Sequence, residues 1–172
     1  AAMLVFSACG GGGGGSDDPG NPGDPNYTIE IKPDNATLFL NCEYEFYAKK
    51  ENDFKHLDNI TWEVDDTSVA QIDDEGKLTP LKAGKFKVTG NYEDGKSAST
   101  ECTVTATAVS DVFEASAGVI TKYKGSDTDV AVPASINGVG IDEIGYQAFS
   151  GCTNLGSIDL PSSVTSIDSF AF

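Results

Sequence analysis

The stretch IDEIGYQAF begins at Ile141, and VTSIDSFAF begins at Val164. Aligned, Ile141 falls on Val164, Ile144 on Ile167, Ala148 on Ala171 and Phe149 on Phe172, each pair 23 residues apart. A fixed period in the low twenties means stacked units, each too small to bury its own apolar face. Neighbours must cover that face, about three units are needed for stability, and the outermost unit needs a polar cap. One complete unit and the opening of a second lie between Ile141 and Phe172. The stacking rule therefore carries the expectation that the chain is a fragment and that further copies follow Phe172; the absence of a charged signal-peptide start before the apolar residues 1–8 adds the expectation of a cut at the other end too.

Within the unit, Leu155, Ile158 and Leu160 have the spacing L-x-x-L-x-L, and Pro161 ends the short strand because proline cannot donate to a ladder. The stretch IGYQAFSGCTNLGSIDLPSSVTSI resembles the BspA-type leucine-rich repeat of bacterial surface proteins. Ala148-Phe149, Gly151-Cys152, Asn154-Leu155 and Leu160-Pro161 carry the likeness. The preceding GVITKYKGSDTDVAVPASINGV is similar to the lead-in of such arrays. There Val130, Val132 and Pro133 echo Ile158, Leu160 and Pro161 at an offset of 28, so about five residues, INGVG, are inserted. The resemblance covers roughly 113–172. It implies that 109–172 opens a leucine-rich-repeat solenoid with Phe149, Cys152, Leu155, Ile158 and Leu160 in its core. Cys152 is read as a stacking position, since no histidine lies near it in sequence to make it a nucleophile.

Upstream the period changes to two. In TLFLNCEYEFYA, Leu38, Leu40, Cys42, Tyr44, Phe46 and Ala48 share one parity, the pattern of a half-buried strand. Ile60, Trp62 and Val64 repeat it, as do Phe86, Val88 and Tyr92, and then Cys102, Val104 and Ala106. Turn signals at 73–76 and 93–95 separate these runs, and no helical period intervenes, so 27–108 reads as an all-β sandwich. The stretch ITWEVDDTSVAQIDDEGKLTPLKAGKFKVTG resembles the bacterial Ig-like domain of group 2, through Trp62, Ser68-Val69-Ala70, Ile72-Asp73, Gly76-Lys77 and Lys82-Ala83-Gly84. Asn41 stands where that family usually has glycine. Alternation with Ile60 and Val64 puts Trp62 in the core with Phe86, not on a sugar-stacking face. Cys42 and Cys102 share inward parities. A disulfide between them and two buried thiols are both open readings. Asp65-Asp66 and Asp73-Asp74 read as turn formers, because calcium needs six to eight converging oxygens. His56 reads as a solvated loop residue.

The amino-terminal stretch is of another kind. Residues 1–8 are mostly apolar and end in small residues before Cys9, like the end of a signal peptide. FSAC resembles the cleavage motif of bacterial lipoproteins, although Phe6 replaces the usual Leu, and this implies lipid attachment at Cys9. Six glycines and SDDPGNPGDPN then make 9–26 a tether with nothing to form a core. Its SDD resembles the acidic export tag of surface lipoproteins in Bacteroides-like bacteria. The expected location is the outer membrane, at the cell surface, held only by the lipid anchor.

The charge balance narrows the function. Among 172 residues there are 27 acidic and 11 basic ones, a formal charge of −16, and every basic residue is lysine. That argues against nucleic acid, which calls for a basic face, and against anionic membrane surfaces. One histidine and no C-x-x-C pair leave no ordinary metal site, and no catalytic set or phosphate loop is visible. No enzyme, cofactor or metal is expected. The expected role is adhesin-like, with the sandwich as spacer and the repeats presenting a surface to a host or cell-surface protein or glycan. The alternative is a targeting arm for a catalytic domain beyond residue 172.

Overall fold

A computed structural model describes residues 27–172 except Asn52, Phe54 and Asp94. The described residues are mainly β, with a single 3-10 turn at Val109–Asp111. Nine strands form the first part: β1 (Ile29–Lys32), β2 (Thr37–Phe39), β3 (Cys42–Glu45), β4 (Tyr47–Lys50), β5 (Ile60–Val64), β6 (Ala70–Ile72), β7 (Lys77–Pro80), β8 (Gly84–Tyr92) and β9 (Ser97–Thr105). One sheet runs β2-β9-β8-β5, another runs β6-β7-β3, and β1 pairs with β4 as a ribbon. Leu38, Leu78, Val88 and Ala70 are sealed between the layers at 0 % exposure. They make this part a β-sandwich, as alternation predicts.

The run from Leu38 to Ala48 departs from a single strand. It is divided among three pairings, with β2 on β9, β3 on β7 and β4 on β1. The cause of the first break is Asn41, which takes the left-handed conformation (φ 61°) open to Asn and Gly. This is the position where the family that the sequence resembles usually has glycine. From Cys42 onward burial still follows the parity, with Cys42, Tyr44, Phe46 and Ala48 each 1 % exposed, whereas before the break Phe39 is buried and Leu40, inward by alternation, is only half-buried. The buried Tyr44 hydroxyl accepts the Phe39 N–H at 3.0 Å across the break. That bond satisfies a backbone donor that the lost ladder would have held.

Trp62 is only half-buried. Its ring packs on the core opposite Gly90 of β8, and a Cβ at Gly90 would stand 3.1 Å from it. His56 is exposed but stacks on Tyr47 with ring centroids 4.0 Å apart. The paired aspartates act on backbone. Asp73 Oδ1 accepts the Glu75 and Lys77 N–H groups at 3.0 and 2.9 Å, and Asp66 Oδ1 accepts the Ser68 N–H at 3.0 Å.

Eight further strands follow: β10 (Phe113–Ser116), β11 (Val119–Tyr123), β12 (Asp129–Ala131), β13 (Ser135–Ile136), β14 (Val139–Gly140), β15 (Glu143–Ile144), β16 (Ser157–Asp159) and β17 (Ser166–Ile167). Strands β11, β15 and β17 pair in parallel, aligning Ile120 with Ile144 and Ile144 with Ile167. Strands β12 and β16 form a second parallel ladder, in which Val130 faces Ile158. That register is the 28-residue offset read from the sequence. The antiparallel strand β10 closes the first ladder beside β11.

Gly76 and Gly95 test how the sandwich turns are built. Both have positive φ (83° and 85°), but a Cβ at Gly76 would lie 2.3 Å from the Phe46 carbonyl oxygen, whereas Gly95 has open space. Gly95→Ala should cost about 1 kcal/mol, the left-handed penalty alone. Gly76→Ala should cost clearly more, about 3 kcal/mol or above, because backbone must also move. Urea denaturation of the two variants checks the difference.

Candidate functional site

The repeat rungs are joined by the same backbone bonds at each level. Gly145 N donates to Ile120 O at 2.9 Å, and one period later Asp168 N donates to Ile144 O at 2.8 Å. Tyr123 N donates to Ala148 O at 2.7 Å, and Phe149 N to Ala171 O at 2.6 Å. Gln147 and Phe170, 23 residues apart, both adopt φ 56° at the corner after the strand. Aromatic rings follow the same rise. Phe113 and Tyr123 lie 5.1 Å apart, Tyr123 and Phe149 5.2 Å, and Phe149 and Phe172 5.4 Å, the last two pairs stacked. Such separations suit offset aromatic pairs.

Exposure shows what each rung does for the one below. Ile144 and Phe149 are 0 and 2 % exposed, while Ile167 and Phe172, at the same positions one level up, are 43 and 56 % exposed. Phe170 is 73 % exposed and meets Tyr146 edge-on at 6.1 Å. Cys152, Leu155, Ile158 and Leu160 are partly buried against the same core.

The outward positions of the ladders are polar. Asp129 and Ser157 stand side by side on β12 and β16, with the Ser157 hydroxyl bonded to the Asp129 carboxylate. Asp159 accepts the Tyr47 hydroxyl at 3.3 Å, and burial pushes its carboxyl above the ordinary range, against the pull of Lys32. A cleft of about 310 Å³ runs between Lys32, Asp34 and Thr37 of the sandwich and Asp127, Asp129 and Asp159 of the repeats. A second, of about 390 Å³, is lined by Glu43, Glu45, Glu75 and Lys77 on one side and Ser135, Ser162 and Ser163 on the other. Lys77 and the Ser135 hydroxyl hold the Glu43 carboxyl below its usual range. Among the described residues no cluster of three or more His, Cys, Asp or Glu is placed to hold a metal ion. Among them, too, no helix is long and apolar enough to cross a membrane.

Comparison with known proteins finds two modules. The family model described as bacterial Ig-like domain (group 2) matches residues 28–104, and that described as BspA type leucine rich repeat region matches 129–172. The chain carries a group 2 bacterial Ig-like domain followed by BspA-type leucine-rich repeats. An uncharacterized protein of Clostridium acetobutylicum is 42 % identical over 48 residues, which is 28 % of this chain and 5 % of that protein. The crystal structure of an intimin mutant from EHEC O157:H7 is 16 % identical with a TM-score of 0.37, covering 45 % of this chain and 46 % of that one. An intimin–Tir90 complex is 18 % identical with a TM-score of 0.35, covering 46 % and 48 %.

The cysteines fall in different places. Cys42 and Cys102 stand as free thiols, 1 and 2 % exposed, one on β3 and the other on β9 in the opposite sheet. Burial pushes their thiols up to about 12 and about 11. Cys152 is half-buried, and Cys9 lies outside the described residues. In folded, unreduced protein at pH 8, a thiol reagent should label Cys152 but spare Cys42 and Cys102, which should react on unfolding. Peptide mass spectrometry reads the order. A pair that stays unlabelled after unfolding without reductant would identify a disulfide instead.

Proposed function

We propose that this chain is part of a cell-surface binding protein of adhesin type, whose repeats present the ligand surface and whose Ig-like domain supports them. The observation that carries the reading is the recurrence of one set of backbone bonds and one aromatic stack from rung to rung. A unit that repeats its own interface can lengthen into a solenoid with an extended face, and such faces serve multivalent contact. The outward positions along the ladders are polar and acidic, suited to a protein or glycan partner and ill-suited to nucleic acid. In this reading the modules span 27–108 and 109–172. Cys9 carries a lipid at the outer membrane, and 9–26 gives the array reach.

Cells displaying the protein should attach to surfaces coated with host matrix proteins or glycans. Deleting 109–172 should reduce attachment at least tenfold at equal surface expression. Attachment that survives the deletion would place binding in the sandwich or the tether and overturn the assignment to the repeats. A Cys9→Ser variant recovered with the membrane fraction, with no lipid-modified peptide in the parent, would remove the anchor.

A further inference from the structure

The five inserted residues, 136–140, find their explanation in the sandwich. They form a hairpin in which Ile136 faces Val139 across Asn137-Gly138, both at positive φ (52° and 78°), the signature of a two-residue turn that fits strand twist. One arm, β13, then pairs antiparallel with β3, aligning Ser135 with Glu43 and Ile136 with Cys42. Ala134 N donates to Glu43 O at 2.7 Å, and Asn137 N donates to Asn41 O at 2.8 Å. The second sheet of the sandwich thereby becomes five-stranded, β14-β13-β3-β7-β6, and crosses from one module into the other.

The rest of the seam is equally specific. Phe39 of the sandwich meets Phe113 edge-on at 6.0 Å, with both rings buried. Ser162 N donates to Glu45 Oε2 at 2.5 Å, and the Ser135 hydroxyl to Glu43 Oε2 at 2.9 Å. Buried residues of both modules form one continuous cluster. The two ladders also differ at their lower ends. Strand β11 is covered by β10, whereas β12 rests against β2 of the sandwich. A repeat stack requires something to cover its first rung.

We propose that the Ig-like sandwich is the lower cap of the repeat stack, docked through the inserted hairpin 136–140, so that rungs and sandwich fold and open as one body. This goes beyond a spacer role and does not depend on the adhesive reading. It also removes a hinge between the modules and fixes the angle at which the rungs leave the sandwich.

The hairpin can be removed without disturbing the repeat. Ile141 N already donates to Ala134 O at 2.8 Å, so the ends of the insertion meet. Deleting 136–140 leaves Pro133-Ala134-Ser135-Ile141, in the register of Pro161-Ser162-Ser163-Val164, and brings the Val130-to-Ile158 offset to 23. Native-state hydrogen exchange by mass spectrometry on the whole chain is the test. In the parent, amides of β11 and β15 should open with the same free energy as those of β8 and β9. In the deletion variant the rung amides should exchange at least tenfold faster while β8 and β9 keep their protection. Unchanged rung protection in the variant overturns the proposal. Should the variant not fold, the parent decides alone: a separate, lower opening free energy for the rungs overturns the proposal, and a shared one supports it.

Discussion

An apolar side chain in one rung is hidden by whatever packs on the rung's two faces, for most rungs the neighbouring rung, and the structure of the carboxy-terminal part depends on that sharing. Ile144 and Ile167 occupy the same place in the unit, yet the first is sealed and the second is 43 % exposed, because only the first has a neighbour on both sides. The period of the sequence follows from it. Backbone bonds such as Gly145 N to Ile120 O and Asp168 N to Ile144 O hold successive rungs at one rise. Tyr123, Phe149 and Phe172 stack in series over the same rungs, at residue offsets of 26 and 23. Where the spacing is broken, by residues 136–140, the extra chain leaves the stack and pairs with β3.

Much of this was legible in the sequence, where the signal was local or periodic. The 23-residue offset marks the Ile144–Ile167 register, and the 28-residue offset marks Val130 against Ile158. Alternation at Cys42, Tyr44, Phe46 and Ala48 predicts which side chains are buried, although not that the run is split among three pairings. The first break turns on the left-handed Asn41, and alternation carries no sign of where such a residue redirects the pairing. The partner of the inserted hairpin was not legible at all. Nothing in INGVG names a strand some ninety residues upstream, and β-pairing between distant segments leaves no period to read. Trp62 is half-buried because it lies on β5, the edge strand of its sheet, where alternation reports only which way a side chain points.

Carboxylates illustrate how composition and structure answer different questions. The net charge of −16 bears on which partners the surface can meet. Individually, Asp66 and Asp73 hold turns, Glu43 pairs with Lys77 of its own sheet and reaches across the seam to Ser135, and Asp159 meets Tyr47 across the module boundary. These carboxylates, which composition counts only as acidic surface, are engaged in fixing backbone and joining the two modules.

The shared stack is the claim from which the rest follows, and a double-mutant cycle on Tyr123 and Phe149 tests it most directly. Tyr123→Leu, Phe149→Leu and the double variant would be compared by urea denaturation of the full chain. Rings stacked between rungs predict a coupling of about 0.5–1.5 kcal/mol, with the double variant losing less than the two singles together. Additive losses, within about 0.3 kcal/mol, would mean that the rungs do not support one another through these rings and would contradict the account.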